Sequence, residues 1–160
     1  MSSYIGQKLP VRGALRWALR IPIWLYHAHL GRLLGHQFLL LTHQGRKSGQ
    51  PRQTVLEVVR YDRATRTYVV ASGWGVTSDW YRNIQQNPDV VVESGSGRLT
   101  ARATILPPAE AAVELRHYAR RHPYRARELT RMITGEVAHS QPAEIARLAD
   151  QIPLVALRPR

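Results

Sequence analysis

Apolar positions recur along the chain with two periods. Short runs at 38–41, 55–59 and 154–157 are apolar and bounded by turn residues, the pattern of buried strands. Residues 98–105 alternate strictly. Leu99, Ala101, Ala103 and Ile105 are expected to face inward, and Arg98, Thr100, Arg102 and Thr104 outward. Further strands are expected at 53–61, 67–72 and from 90. Helices are expected over 10–21, 23–34, 107–121, 124–134 and 142–150, the later ones bounded by Pro107-Pro108, Pro123, Gly135 and Pro142. Another short helix follows Thr77-Ser78, either of which is expected to cap it, with Asp79 in its first turn. Pro22 separates the first two helices, and Pro123 stops the one before it. The order is helix, five strands with a helical insertion, helices, strand. Antiparallel hairpins dominate, so the expected class is α+β: a small β-barrel with an N-terminal helical segment and helices before the last strand. No repeat or long linker divides the chain. A tail and basic helical segment occupy 1–35, and a barrel domain 36–160.

Charge changes the picture. The 160 residues carry a formal net charge of +12, and Lys8 and Lys47 are the only lysines. No acidic residue precedes Glu57, whereas Arg12, Arg16, Arg20, Arg32, Arg46, Lys47 and Arg52 all do. Such asymmetry points to an anionic partner. Arg12, Arg16 and Arg20 share a helical face beside Trp17, and Trp24 follows. Residues 10–34 are therefore expected either to dock on an anionic membrane or, the favoured reading, to pack across the domain. They are too short and polar to span a bilayer. Helix-turn-helix, zinc-finger and aromatic strand patterns are absent, so nucleic acid is not the expected partner. There are no cysteines, which excludes thiolate metal sites and cysteine nucleophiles. The histidines show no metal-ligand spacing. No signal peptide is evident, so the expected location is cytoplasmic, with a peripheral position at the inner face of the plasma membrane as an extension of the membrane reading.

The densest chemistry lies in Gly45-Arg46-Lys47-Ser48-Gly49-Gln50-Pro51-Arg52, between two expected strands. The glycines allow close backbone approach, while Arg46, Lys47, Ser48 and Arg52 supply donors. The stretch reads equally as an anion cradle or as a solvated basic hairpin loop. It is not a P-loop, because no helix follows it.

Together with Leu39-Leu40-Leu41-Thr42 before it, Val70-Ala71-Ser72-Gly73, Asp79-Trp80-Tyr81-Arg82-Asn83-Ile84, Asn87-Pro88 and the terminal Ile152-Pro153-Leu154-Val155-Ala156-Leu157, this stretch resembles the deazaflavin-dependent nitroreductase family over roughly residues 36–160. The resemblance implies a split β-barrel binding coenzyme F420, a deazaflavin with a phosphate and an oligoglutamate tail, with flavin mononucleotide as the alternative cofactor. By position, Arg46, Lys47 and Ser48 would hold the phosphate and tail. Arg52, Gln53, Thr54, Val55 and Leu56 would line the cofactor along the second strand. Ala71, Ser72 and Gly73 would meet the ring edge, Trp74 would cap the ring face or shield the barrel end, and Trp80, Tyr81 and Asn83 would complete the phosphate side, with Trp80 more core than contact. The implied activity is hydride transfer from the reduced cofactor to an electron-poor small molecule: a quinone, enone or nitro compound. The expected proton donor is Ser72, with Tyr118, Tyr124 and His122 as further candidates. Two departures stand out. Gly73 occupies a position where many relatives have lysine, and the tyrosine cluster of nitroimidazole-active relatives is reduced to Tyr124, with Tyr118 a helical segment earlier. Rival readings are a non-catalytic deazaflavin carrier, a flavin- or haem-binding split barrel, and a basic nucleic-acid- or membrane-binding module.

Overall fold

The computed structural model describes residues 35–95, 97–134, 144 and 147–160. The segment 10–34, with its membrane expectation, lies outside the described residues, as do residues 142, 143, 145 and 146 of the helix expected at 142–150.

Six strands form a closed antiparallel barrel: β1 (Phe38–Gln44), β2 (Pro51–Asp62), β3 (Thr67–Ala71), β4 (Asp89–Ser94), β5 (Gly97–Ile105) and β6 (Leu154–Pro159), in the order β1-β2-β3-β6-β5-β4. β4 returns to pair with β1 and closes the ring. Helices are α1 (Asp79–Gln86), α2 (Pro108–Arg121) and α3 (Pro123–Thr134), with short 3-10 turns at Gly75–Thr77 and Leu148–Asp150. The latter is what the structure describes at the end of 142–150.

Strand alternation sorts the core into two bodies. Leu39, Leu41, Leu56, Val58, Tyr68, Val70, Val92, Ala101, Val155 and Leu157 fill the barrel interior. Their alternates Val59, Val69, Ala71, Leu154 and Ala156 face outward and are covered by α2. The helix presents Ala111, Leu115, Tyr118 and Ala119, a stripe at helical spacing. β3 is therefore buried on both faces, and its uninterrupted Tyr-Val-Val-Ala reads as such. On the other side, α1 contributes Trp80, Tyr81 and Ile84 to the interior body. Of the expected inward face of β5, Leu99, Ala101 and Ala103 hold. Ile105 does not: as the last residue of the strand it is 38% exposed.

The strands run further than their apolar runs. β1 continues through Thr42, His43 and Gln44, and β2 already begins at Pro51. Pairing of Gln44 with Pro51 reduces the connection to Gly45–Gln50, a tight hairpin loop at the barrel rim facing α1.

Candidate functional site

The hairpin loop is built from its own backbone. The Gly45 amide donates to the Gln50 carbonyl and the Gly49 amide to the Gly45 carbonyl, both at 2.8 Å. A side chain at Gly45 would meet Ser48 Oγ at 2.8 Å, and Gly49 sits at φ +67°, so each glycine is required for a separate reason. Ser48 Oγ in turn accepts the Gln50 amide.

Asn83 of α1 ties this loop down. Its Oδ1 accepts the Arg46 backbone amide at 3.1 Å and Arg46 Nη1 at 2.9 Å. Its Nδ2 lies 3.1 Å from His43 Nδ1. Since the amide nitrogen has only protons to offer, His43 Nδ1 is the acceptor and the ring is neutral. Burial lowers the His43 pKa from its ordinary value; the pull of Asp79 opposes that shift and Arg52 adds to it. Arg46 also pairs with Asp79 at 3.0 Å. Its guanidinium is thus committed to α1, whereas Lys47 and Arg52 enter no ion pair among the described residues.

A cleft of about 770 Å³ opens above the loop, lined by His43, Arg46, Lys47, Ser48, Arg52, Gln53, Thr54, Trp74, Asp79, Trp80 and Asn83 among others. A second, apolar chamber of about 260 Å³ lies on the outer face of β1–β3, against Tyr118 of α2. Phe38, Val55, Leu56, Val59, Ala71 and Gly73 line it. Thr54, Trp74 and Trp80 belong to both walls, so a cationic end and an apolar end share one boundary.

Several expected site residues are placed otherwise. Ser72 is completely buried and lines neither cavity. Its Oγ donates to the Gly75 carbonyl at 2.7 Å and meets Ser78 Oγ at 2.8 Å. Its hydroxyl therefore builds the turn after β3. The same bonds explain why Ser78, the residue before α1, makes no side-chain cap. Thr77 does not cap either; its hydroxyl donates to the Trp74 carbonyl. Tyr124 is 81% exposed and lines neither cavity. Tyr81 belongs to the barrel interior, edge-on to Trp80. Trp80 is core and cavity wall at once. Tyr118 is buried and reaches the chamber, with its hydroxyl donating to Glu57 Oε1. Burial, then the hydrogen bond and charge of Glu57, raise its pKa far above that of a free phenol.

Two residues escaped the sequence reading. His43 continues the period-two face of Leu39 and Leu41, which places it inward. Glu57 is a lone carboxylate within Val55-Leu56-Glu57-Val58-Val59, an unusual choice for a strand covered on both sides.

A profile of the F420H(2)-dependent quinone reductase family matches residues 18–137. The chain belongs to that family. A Mycobacterium tuberculosis protein assigned as an F420H(2)-dependent quinone reductase is 37% identical over 76 residues, which cover 46% of this chain and 62% of that relative. The chain thus matches less than two thirds of the length of this relative. Among solved structures, an F420-H2 dependent reductase superposes with a TM-score of 0.53 at 21% identity, covering 78% of this chain and 96% of the other. The Vibrio cholerae haem storage protein HutZ superposes with a TM-score of 0.52 at 14% identity, covering 84% and 89%. These superpositions establish the split-barrel fold, which serves more than one cofactor.

Proposed function

We propose that this member of the quinone reductase family binds coenzyme F420 and reduces a quinone with it. One observation carries the reading: a cleft whose Lys47 and Arg52 enter no ion pair among the described residues meets an apolar chamber at Thr54, Trp74 and Trp80. An elongated cofactor with an anionic tail fits the cationic cleft, with its ring system reaching that boundary and the chamber beyond it left for the acceptor. When bound, the reduced deazaflavin supplies a hydride from a ring carbon, which the quinone takes up with one proton, two electrons in all, to give the hydroquinone and oxidised cofactor.

The residues then divide the work. Lys47 and Arg52 attract the anionic portion, and Ser48 and Gln53 offer further hydrogen bonds beside them. Arg46 acts one step back, holding the loop to α1 through Asn83 and Asp79. Trp80 gives a fixed aromatic wall, and Trp74, 53% exposed, stands at the boundary with solvent. The chamber of Phe38, Val55, Val59 and Ala71 excludes water from the acceptor. Ser72 positions Gly73 and Trp74 by bracing the turn that carries them.

The test is a fluorescence titration of the protein with oxidised F420 and, separately, with flavin mononucleotide, followed by oxidation of reduced F420 in the presence of menadione, cyclohexenone or a nitroimidazole. Tight binding of F420, weak binding of the mononucleotide and turnover of menadione are expected. Failure to bind F420 would overturn the assignment. Binding without turnover on any acceptor would make the protein a carrier of the cofactor.

A further inference from the structure

Of the described residues lining the apolar chamber, Glu57 alone carries a charge. Its carboxylate is held rather than free. Oε1 accepts the Tyr118 hydroxyl and lies 3.9 Å from Arg125 Nη1, and Arg125 in turn donates to Gln37 Oε1. Tyr118 and Arg125 come from α2 and α3, so two helices fix one oxygen of a strand residue. Among the described residues the other oxygen, Oε2, has no hydrogen bond, and the side chain is 31% exposed. The raised pKa of Tyr118 keeps its proton in place, so the phenol remains a permanent donor to Glu57. In this largely apolar lining, the held carboxylate of Glu57 asks for a hydrogen-bond donor. A carboxylate has only acceptor oxygens, and so does a quinone carbonyl. The two repel, and a carbonyl is turned away from Glu57 while a hydroxyl is drawn to it.

We propose that Glu57 determines the acceptor specificity of the chamber, taking through Oε2 the hydroxyl of a neutral, hydroxyl-bearing quinone and thereby setting which way the ring lies. This rests on the reading that the chamber receives the acceptor. It assigns Glu57 a contact with substrate and Tyr118 and Arg125 the task of positioning it.

Trp74 and Trp80 line the chamber, so a quinone bound there quenches indole fluorescence with no cofactor present. The experiment compares 1,4-naphthoquinone with its 2-hydroxymethyl derivative, both uncharged and therefore indifferent to the cations of the loop. The parent protein is expected to bind the hydroxymethyl compound about tenfold more tightly, as a hydrogen bond to a charged group implies. Glu57→Gln, which keeps the shape but not the charge, should reduce that preference to about twofold, since the remaining hydrogen bond is neutral. Glu57→Leu should abolish it while leaving naphthoquinone bound as well as before or better, a result that an unfolded variant could not give. Equal affinities in the parent protein, or a preference that survives in Glu57→Leu, would overturn the role of Glu57 while naphthoquinone quenching persists. Absence of quenching by either quinone would overturn the acceptor chamber itself and this inference with it.

Discussion

Asn83 Oδ1 accepts two hydrogen bonds from the same residue, Arg46: the backbone amide at 3.1 Å and Nη1 at 2.9 Å. One side-chain oxygen thereby fixes both the path of the hairpin loop and the direction of its first cation. A helix distant in sequence holds the backbone from which the next cation, Lys47, projects.

Asn83→Ala removes both of these bonds and the one to His43, leaving the Arg46 amide and His43 without their partner. A loss of about 1–3 kcal/mol is expected for unsatisfied polar groups of this kind. Urea denaturation measures it, and an unchanged midpoint would show that water replaces the amide.

Lys47→Ala and Arg52→Ala should each weaken F420 binding by about 1–3 kcal/mol and flatten its salt dependence, with unfolding unaffected. Arg46→Ala should differ, lowering stability and affinity together. Fluorescence titrations at two salt concentrations beside thermal melts separate the two classes. Identical behaviour of all three variants would contradict the division between tethered and free cations.

Ser72→Ala deletes a buried hydroxyl that binds the Gly75 carbonyl and Ser78. The expected outcome is a stability loss of about 1–3 kcal/mol and weaker cofactor binding through a loosened Trp74, with turnover of the bound cofactor little changed. A fall in kcat at unchanged affinity would instead return Ser72 to the chemical step.

His43 makes stability depend on pH. Its folded pKa lies below the ordinary 6.5. Below that value the unfolded chain takes up a proton that the folded chain resists, so its contribution is complete above about pH 6.5 and declines as the pH falls toward the folded pKa. Protonation also ends acceptance of the Asn83 hydrogen bond and so loosens the loop. Melts from about pH 7.5 to about pH 5.5 should show a steeper decline in the parent chain than in His43→Gln. Parallel curves would assign the decline to other groups.

Leu115→Ala opens a cavity where α2 covers the barrel, and a loss of about 2–5 kcal/mol is expected. Chemical denaturation checks it; a loss below about 1 kcal/mol would mean that α2 collapses onto the smaller side chain.

Local pattern determined a good deal of this protein. The apolar runs of β1, β3 and β6, the alternation of β5 and the stripe of α2 follow from periods of two and of helical spacing, and these need no knowledge of neighbours. The glycines and cations of residues 45–52 marked the loop, and the motifs around Asn83 pointed to the family. Tertiary structure decided which of those side chains are available. Arg46, Lys47 and Arg52 are all cations of one stretch, but of the three it is Arg46 that bonds to Asn83 and Asp79. Ser72 stood at the expected strand end, yet the turn after β3 folds back and spends its hydroxyl on Gly75 and Ser78. Tyr124 and Tyr118 are both aromatic residues on neighbouring helices, and the direction of each helix face sends one to solvent and the other to Glu57. The physical reason is common to all three: a hydrogen-bonding group can satisfy few partners at once, and which partner comes near is fixed by chain crossings that no local period records.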